Sequence, residues 1–206
     1  PDSAQVDSLL QWVDFNSIIS TDRTLENSKL GVTLDLNAVG EGYGIDLVGE
    51  WLMAKGIVDF KVEIGGEVLC RGLNGEGKPW KIGIENPEYD EKGGNSLYAV
   101  VALKNEAVGT SGSYRHFRVD SLGNKHPHIL DPRTGYPVEH NLLSVTIKAN
   151  DCVTADGLAT ACMVLGEVKG KEMIEKLPEV EAFFIYDSLG KLSYWQSEGF
   201  GAESIK

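Results

Sequence analysis

Positive charge is in short supply. The 206-residue chain has 19 lysines and arginines against 31 aspartates and glutamates, a formal charge of −12 at neutral pH. Such a chain is a poor partner for nucleic acid, because phosphate contacts need clustered Lys and Arg. The acidic surface serves solubility instead. Cysteine is scarce as well: Cys70, Cys152 and Cys162 are the full set, none in a CxxC or other metal-type spacing. An odd, sparse set argues against a disulfide framework. No apolar run approaches the ~20 residues that span a bilayer. The opening PDSAQVDSLLQWV lacks the basic segment and apolar run of a secretory leader, and it reads as sequence from the middle of a domain.

Glycine is abundant, with 24 residues where average usage is about 7%, so many tight turns are expected. The length suits one large domain or two small ones, and an apolar share of 42% is enough for a real core. Residues Val6 to Val13 have helical spacing, with Leu9, Leu10 and Val13 on one side. VTLDLNAV alternates like a strand. EGYGIDLVGEWLMAKG reads as a helix with Ile45, Val48, Trp51 and Leu52 on its apolar face, stopped by Lys55 and Gly56. DFKVEIGGEVLCRGL reads as two strands joined at Gly65-Gly66. WKIGIENP is a strand ended by Pro87, followed by a charged loop from Glu88 to Asn95. Further strands are expected at Leu97–Leu103 and Leu143–Lys148. A helix is expected over Ala155–Leu165, capped by Thr154 and stopped at Gly166, and another near Lys171–Leu177. AFFIYD and KLSYWQ form a closing hairpin around Leu189-Gly190. Strands and helices mix without strict alternation, which favours α+β over a doubly wound parallel fold.

Five stretches carry candidate chemistry. In TADGLAT, Asp156 and Thr160 stand four apart and share a helix face. Their oxygens suit a hard cation such as Mg²⁺. Equally, an aspartate near a helix start is stabilising with no ligand at all. In LDLNAVGEGYGID, glycines 40, 42 and 44 sit between a predicted strand and helix, where backbone amides can approach a phosphate. The spacing is not the dinucleotide fingerprint, and such a stretch is also simply a turn. Asp35 and Glu41 flank it and would repel a phosphate unless a cation intervenes or they bind other ligand groups. In GTSGSYRHF, Thr110, Ser111 and Ser113 could donate to a phosphate or ribose, or satisfy a bend. DPRTGYP is a turn by residue chemistry. Arg115 and Arg133 could stabilise a leaving phosphate or pair with carboxylates. His128 suits general-base work on a hydroxyl, but His116, His126 and His140 have the same chemical credentials.

The stretches DLNAVGEGYGID, VEIGGEVLCRGLNGEGKPWKIGIENP, GTSGSYRHF, HILDPRTGYPVEHNLLSVTI and TADGLATACMVLG, in this order and spanning nearly the whole chain, resemble the ApbE family of FAD:protein FMN transferases. The resemblance implies an ApbE or T-fold-like α+β fold: mixed, largely antiparallel sheets with packed helices. It implies Mg²⁺-dependent cleavage of FAD, with FMN passed to a threonine hydroxyl of an acceptor protein and AMP released. Some members hydrolyse FAD to FMN and AMP instead, and a non-catalytic flavin-binding protein is a third reading. Carried over residue by residue, the resemblance makes the main-chain oxygen of Ala38 and the side chains of Asp156 and Thr160 metal ligands. It makes Asp35, Glu41 and Leu130 flavin-nucleotide contacts and His128 the base for the acceptor threonine, with Ser111 and Ser113 as further nucleotide-positioning candidates. Many relatives carry Lys where this chain has Glu41. Some carry a further Asp at the position of Ala159, and Ser is common where Pro127 precedes His128. The family's acceptors include flavin-carrying subunits of membrane redox complexes, which implies a periplasmic or membrane-anchored address, with a lipid anchor in some cases. Family members also carry a segment ahead of the region matched here, so a single ApbE-like domain over residues 1–206, in a fragment or cleaved form, is expected.

Overall fold

Two adjacent phenylalanines locate the centre of the protein. Phe183 and Phe184 are both fully buried, although successive strand residues point to opposite faces. Their strand is therefore covered on both sides. The computed structural model describes residues 2–87, 96–113, 117–119 and 125–205. In chain order the elements are α1 (Ser3–Leu10), a 3₁₀ turn (Phe15–Ser17), β1 (Ile18–Ser20), β2 (Leu25–Asn27), α2 (Asn37–Ala54), β3 (Phe60–Ile64), β4 (Glu67–Arg71), β5 (Trp80–Glu85), β6 (Leu97–Leu103), β7 (Ala107–Gly112), β8 (Phe117–Val119), β9 (Lys125–Pro127), β10 (Leu142–Ala149), α3 (Cys152–Ile174), β11 (Glu181–Asp187), β12 (Leu192–Gln196) and β13 (Glu203–Ser204).

The main sheet has six strands in the order β12-β11-β10-β7-β4-β3, and each neighbouring pair is antiparallel. A three-stranded sheet, β13-β6-β5, covers one face. Phe183, Val68, Val108 and Ile185 meet Val101, Leu103 and Phe200 there. Helix α3 covers the other face, packing Ala155, Ala159, Cys162 and Met163 against Val145, Ile147 and Phe184. Helix α2 lies beside α3, with Ile45 packed on Phe60, Leu69 and Cys152. The α+β class holds, with largely antiparallel sheets. All three cysteines are buried and free. Among the described residues no helix is long and apolar enough to cross a membrane.

Several sequence expectations are displaced. Residues 33–36 do not form a strand: the Asp35 carboxylate accepts from the Asn37 N–H at 2.8 Å and turns the chain into α2. The glycines at 40, 42 and 44 therefore lie inside a helix, not in a turn before one. The buried face of α2 is Gly42, Ile45 and Gly49, while Val48 and Trp51 are exposed. On α1, Val6 is buried and Leu9 points outward. Helix α3 begins at Cys152, with Asp151 rather than Thr154 as its cap. Gly166, the expected stop, does break the helical backbone, with φ of +77°, and a second helical segment joins there and runs on to Ile174. Strand β7 was not expected, since its GTSG half is small and polar, yet it pairs with both β10 and β4. The expected loop over Glu88–Asn95 lies outside the described residues.

Candidate functional site

The site forms where α2 and α3 touch, and glycine makes that contact possible. A Cβ at Gly42 would lie 2.5 Å from the Cys152 carbonyl oxygen and 2.9 Å from the Cβ of Asp156. Glycine costs roughly 1 kcal/mol in a helix interior, but here it lets two backbones approach. Asp46, one helical turn further along α2, accepts from the Cys152 and Val153 N–H groups at 2.9 and 2.8 Å. These donors lie in the first turn of α3 and have no partner within their own helix. One carboxylate thus clamps the start of α3 onto α2. From below, β7 presents Gly109, where a Cβ would lie 2.7 Å from the Asp156 amide nitrogen. Small residues in AVGTSG are what allow α3 to lie directly on the strand.

Between these elements lies a cavity of about 620 Å³. Its floor holds Asp156 and Glu67, both buried, with Thr160 and Ser111 half-buried; Asp35, Glu41, His128 and Leu130 form its exposed rim. The Gly42 N–H donates to Asp156 Oδ2 at 3.0 Å. Ser111 and Thr160 share a hydroxyl–hydroxyl hydrogen bond of 2.9 Å. The Ala38 carbonyl faces α3, with its oxygen 4.0 Å from where a Cβ on Gly157 would stand. Ala38, Asp156 and Thr160 thus line one cavity from two helices far apart in sequence.

Of the nine residues named as site residues with the family resemblance, eight line this cavity: Asp35, Ala38, Glu41, Ser111, His128, Leu130, Asp156 and Thr160. The ninth, Ser113, is not among the lining residues. It lies just past the end of β7, and its hydroxyl donates to the Leu143 carbonyl at 3.5 Å. His140 is not in the cavity either; its Nε2 bonds the Met163 carbonyl at 2.6 Å. Arg133 is paired with Asp131 at 2.6 Å. Arg115 and His116 lie outside the described residues. Glu67 and Asp46 were overlooked in the sequence. The signal for Glu67 was available: a carboxyl group opens EVLC, a strand otherwise apolar on both faces.

Four carboxyl groups line the cavity, with no lysine or arginine among the described lining residues. The charge is unbalanced and partly dry. Burial is the main cause that pushes the Asp156 carboxyl up from its ordinary range; the Gly42 N–H opposes this and the Glu41 charge adds to it. Burial likewise pushes Glu67 up to about 7, reinforced by its contact with the Glu41 carboxyl and the Asp156 charge. Glu67 Oε2 is buried without a hydrogen-bond partner. A hard divalent cation fits this chemistry. The donors are all oxygen, the local charge is negative, and a buried carboxylate oxygen lacks a partner. Among the described residues no three His, Cys, Asp or Glu side chains are arranged to chelate an ion by themselves. An ion here would rest on Asp156 together with neutral oxygens and water, as Mg²⁺ commonly does.

The ApbE family matches residues 1–184. The FAD:protein FMN transferase of Vibrio cholerae is 41% identical over 142 residues, covering 69% of this chain and 41% of that protein. That of Salmonella typhimurium is 34% identical over 204 residues, covering 97% of this chain and 57% of that protein. The solved flavin transferase ApbE of Vibrio cholerae superposes with a TM-score of 0.84 at 32% identity, over 97% of this chain and 62% of that one. The chain thus spans about half the length of these two curated relatives. With its fold, its ordered motifs and these matches in agreement, the chain belongs to the ApbE family.

Proposed function

We propose that this chain carries the reaction centre of an FAD:protein FMN transferase, named as such in its relatives, and that it works with Mg²⁺. The observation that carries the reading is the cavity's charge: four carboxyl groups and no described Lys or Arg. A pyrophosphate would be repelled from such a wall unless a cation came with it. When bound, Mg²⁺ would neutralise the pyrophosphate oxygens and polarise the phosphorus under attack.

The chain's own groups then have distinct tasks. Asp156 and Thr160 hold the cation from a helix, and Ala38 offers its carbonyl. Asp35, Glu41 and Leu130 form the rim against which the flavin nucleotide lies. Ser111, already bonded to Thr160, keeps that hydroxyl oriented. His128 takes the proton of the acceptor threonine. As the threonine Oγ–phosphorus bond forms at the FMN phosphate, the bond from that phosphorus to the bridging oxygen breaks, and AMP leaves with that oxygen. General-base help of this kind is worth roughly 10²–10⁴-fold. The acceptor is a flavin-carrying protein with an exposed threonine, for which we propose a subunit of a membrane redox complex outside the cytoplasm.

Incubation with FAD, Mg²⁺ and a threonine acceptor peptide tests the proposal. Covalent flavin on the peptide, with one AMP released per transfer, is expected. Free FMN and AMP with no labelled peptide would assign water as the acceptor and make the protein an FAD pyrophosphatase. FAD bound tightly with no AMP under any divalent ion would leave a flavin-binding protein and overturn the catalytic reading.

A further inference from the structure

We propose that Asp46 is a positioning residue of the reaction centre: by tying the first turn of α3 to α2, its carboxylate sets the gap across which Asp156 and Thr160 face the Ala38 carbonyl. The role rests on the reading above that these three groups hold a cation.

Geometry carries the inference. Asp46 Oδ1 accepts from the Cys152 N–H at 2.9 Å and Asp46 Oδ2 from the Val153 N–H at 2.8 Å, 106 and 107 positions away in sequence. A helix leaves its first four N–H groups to find partners outside its own ladder, and α3 divides them. Its cap, Asp151, takes the Thr154 N–H on its side chain at 2.9 Å and the Ala155 N–H on its carbonyl at 3.4 Å. The remaining two go to Asp46, on the neighbouring helix. Cys152 is fully buried, and a carboxylate is favourably placed at the positive end of a helix. Two aspartates thus share the work: Asp151 starts the helix and Asp46 fixes where it lies.

The tie is in line with the site. Ala38, Gly42 and Asp46 stand four apart on α2, and Cys152, Asp156 and Thr160 four apart on α3, so each trio follows one helix face. The contacts pair them in opposite directions: Asp46 with Cys152, the Gly42 N–H with Asp156 Oδ2 at 3.0 Å, and the Ala38 carbonyl with the α3 face at Gly157. Strand β7 supports α3 from below at Gly109, which leaves the distance to α2 for Asp46 to set. Asp46 itself is not among the residues that line the cavity. It acts through the helix, on side chains one and two turns further along α3.

The test compares the unaltered chain with Asp46→Ala, Asp46→Asn and Asp151→Ala. The asparagine keeps the size and one acceptor oxygen, but it turns an NH₂ donor towards one of the two N–H groups. Asp151→Ala removes the cap of α3 and leaves the tie. All three should melt a few degrees below the parent. Mn²⁺ titrations with FAD present, read from the electron paramagnetic resonance of the free ion well below the melts, separate the roles. Asp46→Ala should bind Mn²⁺ roughly 10–100-fold more weakly, the range for groups that orient metal ligands, and Asp46→Asn severalfold more weakly. Asp151→Ala should keep the parent affinity. Parent affinity in either Asp46 variant, or the same loss in Asp151→Ala, overturns the proposal. If Asp46→Ala does not fold, Asp46→Asn decides by the same criterion. If the parent itself binds no Mn²⁺, the cation reading fails, and amide hydrogen exchange at Gly42 decides the tie. Faster exchange in the Asp46 variants alone sustains it, and rates that are unchanged, or raised equally in all three, overturn it.

Discussion

Two cavities of similar size lie against α3, and Val164 lines both. One, of about 710 Å³, is walled by Asp131, Arg133, Glu139, His140, Glu167 and Lys169, among others. Its charges are largely settled within the protein. Asp131 pairs with Arg133 at 2.6 Å, Glu167 with Lys171 at 2.7 Å, and both His140 nitrogens are engaged. The other, of about 620 Å³, holds four carboxyl groups with no described cation beside them and one buried oxygen without a partner. Volume does not separate the two; unmet charge does. The first cavity secures the joint at Gly166, where His140 bonds a carbonyl near the helix break. The second asks for something from outside the protein.

If that contrast is correct, substitutions in the two cavities fall into different classes. The largest effect belongs to Asp156→Ala. Removing the one buried carboxylate placed to hold a cation should cost several kcal/mol of transition-state stabilisation, about 10³-fold in Mg²⁺-dependent AMP release. Circular dichroism melts should show little loss of stability, since the charge lost was unbalanced. Unchanged turnover would remove Asp156 from the centre. His128→Ala should follow, at about 10²–10⁴-fold in transfer to the peptide, with Mg²⁺ and FAD affinity retained in calorimetry.

Gly42→Ala acts on the frame rather than the chemistry. The new Cβ would meet the Cys152 carbonyl, and backbone cannot swing aside as a side chain can. A loss of about 1–3 kcal/mol in urea unfolding is expected, together with weakened Mg²⁺ binding as α2 and α3 separate. Asp46→Ala should cost about 1–2 kcal/mol, the worth of a helix N-terminal cap. Arg133→Ala, in the settled cavity, should leave both turnover and melting temperature unchanged. A large fall in turnover there would collapse the distinction between the two cavities.

The residues that define this contrast were unevenly legible in the sequence. The β3–β4 hairpin, β5, β6 and the β11–β12 hairpin follow from local alternation and Gly-containing turns, and they lie where the pattern puts them. Helical spacing put Asp156 and Thr160 on one helix face, but it left a plain helix-start aspartate equally open, and only the family resemblance made the pair candidate ligands. Strand β7 was not legible, because Gly109 and its small neighbours are selected by the helix lying on them rather than by strand propensity. The glycine-rich run read as a turn because intrinsic propensity disfavours it in a helix; tight contact with α3 overrides that preference. The outer apolar residues of α2, Val48 and Trp51, were assigned inward because α2 is apolar on more than one face. Glu67 escaped notice because its importance lies in its neighbours. Nothing in its local spacing shows that Glu41, 26 positions earlier, lines the same cavity.

The central claim is that the acidic cavity receives a divalent cation on the α2–α3 junction. Crystals soaked with FAD and Mn²⁺, as an anomalous stand-in for Mg²⁺, test it most directly. The account predicts a single strong anomalous peak within bonding distance of an Asp156 carboxylate oxygen, the Thr160 hydroxyl and the Ala38 carbonyl. A well-occupied peak elsewhere, or ordered FAD in this cavity with no metal at its pyrophosphate, would contradict it.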